Sequence, residues 1–383
     1  MENKEQAVRP KRNISRFLST GKLDVTYLVL TLVLVSFGLV ILLSSSYAAA
    51  LAENLPSTYY VKRQLIFAVG GILIMLAASR IHYRFYRLAS LPILVFSILM
   101  LVAVLFIGVS HNGSRRWLNL GFTEFEPSEV AKLGVILSFS SLISKYRERM
   151  KTIRYGIIPF IIILGIIFFL MSQQPHYSGA IIILALGAAM MFMGGVHWGW
   201  FAAGFGVLAV AVVIGATKMD YIVSRVAIWR DPWSDIQNTG WQTVQSLYAL
   251  GSGGLLGLGL GNSRQKFSYL PEESNDYIFS IACEELGFIG GVIILLLFAL
   301  LIIRGYWLAL HARDRFGSLV IAGITTMMSL QVFLNIAVVT NLIPVTGISL
   351  PFFSYGGTAL IMQLAQVGIV LSISRENPKD VTL

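Results

Sequence analysis

The stretch YLPEESNDYIFSIACEELG, Tyr269 to Gly287, carries Glu272, Glu273, Asp276, Glu284 and Glu285 in a chain with only 19 carboxylates, and it leads into a long apolar run. Asn275 or Asp276, after Pro271, can serve as the N-cap of a helix beginning there. A cap accounts for one acid only. Asp276, Ser280, Cys283, Glu284 and Gly287 recur at spacings of three and four, which places them on one helical stripe. At 1.5 Å per residue, Glu284 lies ~12 Å further along the axis than Asp276. A polar stripe of that length in an apolar helix calls for a polar cavity.

A second group stands at EFEPSEVAKLGV, where Pro127 suits a helix start and Glu129 and Lys132 share one helix face. An ionisable residue inside a membrane span is costly and is a functional candidate, although an internal Glu129–Lys132 pair that only neutralises the lysine fits the spacing equally well. Just upstream, HNGSRRWLNLG supplies Arg115, Arg116 and Trp117. With the nearby helix N-terminus these residues suit a phosphate, against which Glu124 and Glu126 partly act. Further on, NLIPVTGISLPFFSYGGTAL has no charge, yet its prolines and glycines break any helix. Non-helical backbone at membrane depth needs protein or a water-filled cavity to satisfy its polar groups, and a short loop capping the last helix is the alternative.

These residues need elements to hold them, and composition names the solvent. The 383 residues are 56% hydrophobic and 13% charged with mean hydropathy +0.74, against about 25% charged in soluble domains. The chain reads as an all-α integral membrane protein. Ten apolar runs, at 25–46, 65–79, 88–109, 128–144, 155–172, 179–195, 197–217, 277–303, 316–340 and 355–374, predict ten transmembrane helices. The sixth and seventh are parted at GGVHWGW because one helix through both would overshoot the bilayer. Placing both termini in the cytoplasm puts 19 Lys and Arg inside and 9 outside, with Lys132 in a span, as the positive-inside bias requires. The net charge of +10 therefore needs no nucleic acid. The first run is too long for the core of a signal peptide and reads as an uncleaved helix. Cys283 is the sole cysteine, which excludes an intramolecular disulfide and a cysteine-based metal cluster.

The domain plan is a basic, disordered cytoplasmic tail over 1–22, one membrane domain over 23–375 and a cytoplasmic tail over 376–383. A large external loop, 218–276, parts the seventh and eighth helices. It holds Trp229, Trp233 and Trp241 and an apolar glycine-rich stretch, and reads as ordered and packed at the bilayer face. Its glycines carry neither the Lys-Ser/Thr of a P-loop nor a βαβ setting, so they indicate close backbone approach and a re-entrant bend. Gly253, Gly257 and Gly261 have the spacing of a helix contact.

GSRRW, PSEVAKL, WQTVQSLYALGSGGLLGLGLGNSRQKFSYLPE, NDYIFSIACEELGFIGG and NLIPVTGISLPFFSYGGTAL, in that order, resemble the motifs of the SEDS family of FtsW, RodA and SpoVE. The wording of NGSRRW and VVTNLIPVTG leans to the FtsW/SpoVE branch. The resemblance implies ten helices and a peptidoglycan glycosyltransferase of the bacterial cytoplasmic membrane, polymerising lipid II at its outer face for septal or spore cortex wall. It implies as partner a class B penicillin-binding protein, set against the helices of runs 277–303 and 316–340, with other division proteins and membrane lipid around it. The family's essential acid falls on Asp276, and Trp117, Glu129 and Lys132 fall on motif positions. Three departures stand out: QPHYSG puts His176 where the family has an acid, and SNDY and YGGTA replace two further patterns.

On that reading, a sugar hydroxyl attacks an anomeric carbon while a polyprenyl diphosphate leaves. Asp276 is the general base, and Arg116 and Lys132 face the phosphates or line the cavity. A divalent cation, Mg or Mn, suits a diphosphate leaving group, although no ligand spacing marks its site. Two rivals remain: a lipid II flippase, and a scaffold for division proteins in which the acids are structural.

Overall fold

The computed structural model describes residues 19, 21–111, 114–121, 123–204, 206, 220–236, 238, 240–267 and 269–376. The chain folds into helices α1 (Val25–Ala52), α2 (Tyr59–Arg80), α3 (Tyr83–Ile107), α4 (Pro127–Tyr146), α5 (Ile158–Ser172) and α6 (Tyr177–Met193), then α7 (Asp220–Arg230), α8 (Trp241–Ser252), α9 (Ile278–Leu310), α10 (Arg315–Val339) and α11 (Gly357–Ser374). Among the described residues, seven helical segments are long and apolar enough to cross a membrane: α1, α2, α3, α5 with the turn before it, α9, α10 and α11. The helix α6 is shorter, at 17 residues. The expected span 197–217 is helical over 198–204, and most of its remainder lies outside the described residues, as do the tails at 1–18 and 377–383.

Local chemistry sets the helix ends. Asp24 accepts from Tyr27 N at 2.8 Å to cap α1, and Arg304 of α9 grips the same carboxylate at 2.6 and 3.2 Å. Pro127 opens α4 at a position where a missing N–H costs nothing. Asp314 caps α10 through Gly317 N at 2.9 Å. The helix α6 ends at Met193, and Gly195 turns with φ +87°, at the GGVHWGW break. α11 packs on α2, α3 on α4, and α9 lies between α1 and α10, so the helices of the site brace one another.

The class is all-α, as expected, and three details depart from the sequence reading. First, Val109–His111, Ser114–Asn119 and Glu124–Phe125 form a three-stranded antiparallel sheet, β1 to β3, before α4. The Asn112-Gly113 pair between the first two strands is a hairpin signal in the sequence, masked there by the apolar run beside it. Second, α8 ends at Ser252, so Gly257 and Gly261 are not on a helix and no small-residue helix stripe forms. Third, α9 breaks at Gly287, φ +72°. The backbone groups freed by the break pair with the glycine-rich loop: Leu258 N and Gly259 N donate to the Glu284 and Glu285 carbonyls at 3.0 and 2.9 Å, and Phe288 N and Ile289 N donate to Gly254 and Leu255 at 2.9 and 3.2 Å. A Cβ on Gly257 would stand 2.1 Å from the Glu285 carbonyl oxygen, and one on Gly287 2.3 Å from Gly257 N. The glycines thus permit a re-entrant loop to complete a broken helix, the solution apolar surroundings demand.

Candidate functional site at the mouth of α9

Asp276 lies two residues before α9 and is fixed by main-chain ties. Asn335 of α10, 1% exposed, donates from Nδ2 to the carbonyls of both Asp276 and Ile348, each at 2.7 Å. Ser354 Oγ donates to Asn275 O at 2.6 Å, and Tyr355 N to Ser274 O at 2.9 Å. Residues 274–276 are thereby stitched to the non-helical segment between α10 and α11. That segment is largely buried from Ile348 to Ser354, and protein satisfies its backbone: Gln363 accepts from Phe352 N at 2.9 Å, and Gln64 receives Gly356 N at 3.2 Å and donates to Ser354 O at 3.3 Å. It is built into the fold, so the alternative of a short capping loop falls. Gly347, φ +70°, lies so close that a Cβ there would stand 3.3 Å from Asp276 Oδ2.

The capping role does not describe Asp276. No side chain caps α9, and Asn275 instead donates to Glu272 at 2.6 Å. Burial pushes the Asp276 carboxyl up to about 7; Glu272 reinforces the rise, Arg116 opposes it, and Glu126 adds to it. Arg116 and Glu126 thus lie near enough to act on the charge of Asp276.

Arg116, on β2, donates to Pro175 O at 3.3 Å and Ser114 Oγ at 3.2 Å, with its guanidinium 5.9 Å from the Trp117 ring centroid. Glu126 accepts from Ser128 Oγ at 2.7 Å and lies 3.5 Å from His176 Nε2. Burial, then the charges of Arg116 and Lys132, push His176 down to about 3, so this imidazole is neutral at pH 7. The position where the resembling family has an acid thus holds an uncharged group beside two cations. Glu129 and Lys132 form a closed ion pair at 2.5 Å, with both residues buried. Arg116 Nε, Glu129 Oε2, His176 Nδ1 and Asn275 Oδ1 are buried with no hydrogen-bond partner, a concentration of polar capacity that suits a ligand cavity. A carboxylate poised near neutrality, with a guanidinium across from it, is equipped to take a proton and to hold an anion.

The deeper acids do different work. Glu284, fully buried, accepts from Ser263 Oγ, from Arg264 N at 3.1 Å, and from Gln265 N and Ser252 Oγ at 3.3 Å. Glu285 pairs with Lys266 Nζ at 3.1 Å and accepts from Ser44 Oγ of α1 at 2.5 Å. They clamp the re-entrant loop to α9 and α1. Sequence reasoning missed Asn335 and Lys266. The signals were a lone Asn in the apolar run VFLNIAVV, and a lysine in SRQKFS that needed an acid once its loop was buried.

A model of the FtsW/RodA/SpoVE cell cycle proteins matches residues 25–379. The chain is 39% identical to stage V sporulation protein E of Bacillus subtilis, over 92% of its own length and 97% of that protein's. It is 36% identical to the probable peptidoglycan glycosyltransferase FtsW of Trichlorobacter lovleyi, over 92% and 93%. Among solved structures, a chain described under "Structural coordination of polymerization and crosslinking by a peptidoglycan synthase complex" superposes with TM-score 0.78 at 29% identity, covering 94% of this chain and 99% of that one. The rod shape determining protein RodA of Thermus thermophilus superposes with TM-score 0.69 at 28% identity, covering 94% and 98%. The match of the family model over most of the chain, with these likenesses, establishes that the chain belongs to the FtsW/RodA/SpoVE family of cell cycle proteins.

Proposed function

We propose that this multi-pass membrane protein is a peptidoglycan glycosyltransferase that polymerises lipid II at the outer face of the cytoplasmic membrane, with Asp276 as general base. The observation that carries the proposal is the setting of Asp276: main-chain ties at 2.7 and 2.6 Å fix residues 275 and 276, and Arg116 lies near enough to act on its charge. The carboxylate takes the proton from the attacking sugar hydroxyl, whose oxygen forms the new glycosidic bond as the bond to the diphosphate breaks. The electron pair leaves on the diphosphate, towards the cation Arg116. A single displacement inverts the anomeric carbon. Trp117, Glu129 and Lys132 shape the mouth and its floor. A divalent cation would be held chiefly by the substrate's own diphosphate, since the described residues include no group of three His, Cys, Asp or Glu able to cage one.

The test is purified protein with labelled lipid II, with and without a class B penicillin-binding protein. Strand synthesis is the expected result, whereas translocation without polymer would install the flippase reading. The rate has a further signature. A base must be ionised, and Asp276 is raised to about 7. kcat/KM should therefore climb close to tenfold per pH unit below 7 and level off above it. A profile flat from pH 5 to 8 would remove Asp276 from the proton transfer.

Ten spans with both termini inside complete the proposal. Cysteines at Ser234 and Asn262 should react with an impermeant external thiol reagent, while one at Arg149 should stay unlabelled in sealed cells. The partner's helix is proposed to lie on the outward face of α9, where Ile293, Leu296, Leu300 and Ile303 are exposed. Gly290 and Gly291 lie off that face: both are buried, and a Cβ on Gly291 would meet Cys283 Sγ at 2.8 Å.

A further inference from the structure

Charge gathers a second time at the far end of α3, roughly 35 Å along the helix from the sheet that holds Arg116. A cleft of about 500 Å³ opens there between the first turns of α3 and α10, lined by Tyr83, Arg84, Arg87, Leu88, Arg313 and Asp314. Among the described residues lining it are three guanidinium groups and one carboxylate, Asp314, whose Oδ1 is already engaged in capping α10, accepting from Gly317 N at 2.9 Å. The Arg313 side chain is 61% exposed and reaches Glu376 only at 3.8 Å. Arg84 and Arg87 are exposed, the latter with its guanidinium 5.8 Å from the Phe316 ring centroid. A planar guanidinium fork matches phosphate oxygens in pairs, and basic pockets between membrane helices take acidic headgroups.

The wall of the cleft separates a lipid from a free phosphate. Phe85, Leu88, Leu91, Val95 and Leu99 are all exposed, and their spacing of three and four makes one outward track along α3 from the cleft. A soluble phosphate has no use for such a track, whereas the acyl chains of a lipid need one. We propose that the cleft holds the phosphate headgroup of an anionic membrane lipid, with its chains along the outer face of α3. The positive-inside bias explains why arginines stand on this side. It does not explain a cleft that groups three of them around one space at the head of an apolar track.

The test uses native mass spectrometry and thermal melting of the full-length protein in detergent, titrated with phosphatidylglycerol, phosphatidylcholine or inorganic phosphate. Wild type should retain phosphatidylglycerol and melt higher with it, and should respond to neither of the others. Arg84→Gln/Arg87→Gln should weaken phosphatidylglycerol binding on the order of 10-fold or more. Arg149→Gln/Lys151→Gln, a control that removes two exposed basic residues elsewhere, should bind like wild type. Should the double cleft variant not fold, Arg313→Gln at the exposed rim serves in its place, with a smaller loss in the same direction. Equal losses in cleft and control variants would reduce the effect to general surface attraction and overturn the proposal. So would undiminished binding by the cleft variants, or inorganic phosphate binding as tightly as the lipid.

Discussion

Asp276→Asn should abolish most polymerisation of lipid II, by ~10²–10⁴-fold, while the protein inserts, folds and melts at least as well as wild type. Asparagine keeps the size of the side chain and leaves the main-chain carbonyl that Asn335 holds at 2.7 Å. What disappears is the proton acceptor. The sign of the stability effect follows from the raised carboxyl. A carboxylate whose folded value, about 7, lies above the ordinary 3.8 favours its protonated form in the fold. It therefore costs stability as pH rises from about 4 towards 7, and the full cost stands above 7. Removing the charge removes that cost, so Asp276→Asn should match wild type near pH 4 and melt slightly higher at pH 8. Glu272→Gln, in the exposed turn, should polymerise at close to the normal rate. A folded Asp276→Asn protein with normal turnover would strip Asp276 of its role as base and return the flippase and scaffold readings to the lead.

Much of this arrangement was legible in the sequence because the bilayer permits few alternatives. Long apolar runs must become helices, so among the described residues helices stand over nine of the ten expected runs, at edges within a few residues or one to two turns, and over the described start of the other. Asp276 stands out as a candidate for the same reason: an acid at the threshold of such a run has either a capping or a chemical role. What the pattern could not give is which acids share a cavity. Asp276 and Glu284 lie on one stripe of an ideal helix, but Asp276 precedes α9, and Glu284 turns to a loop that arrives from a distant part of the chain. Helical spacing says nothing of a partner that approaches from outside the helix. Asn335 was hidden for a similar reason, because its two bonds run to carbonyls 59 and 13 residues away. The sheet that carries Arg116 was overlooked because its first strand follows directly on an apolar run and takes on the appearance of a helix end.

The clamp beneath the site should give the largest stability effect. Lys266 and Glu285 are 2% and 1% exposed, and their charges meet at 3.1 Å, with Lys266 Nζ also donating to Gly261 O at 2.6 Å and Ser44 Oγ at 3.1 Å. Removing both charges of a buried pair is often close to neutral, but removing one strands the other in a medium that cannot solvate it. Lys266→Met should therefore destabilise the protein by ~3–5 kcal/mol, read as a marked fall in melting temperature. Glu285→Gln, which leaves Lys266 unpaired but keeps an acceptor for Ser44 and Ser263, should cost less than that. The double variant Lys266→Met/Glu285→Gln should be more stable than Lys266→Met alone, because the stranded carboxylate is gone. The loop clamped here runs on to residues 269–276, so its loosening should also slow polymerisation per folded molecule, and the double variant should recover part of that rate. Losses that simply add, with the double variant no more stable than Lys266→Met, would show that Lys266 acts through packing of its stem and its bond to Gly261, and not through Glu285. In that event the re-entrant loop would be held by the glycine contacts at Gly287 and the bonds to Glu284, and the electrostatic account of the clamp would fail.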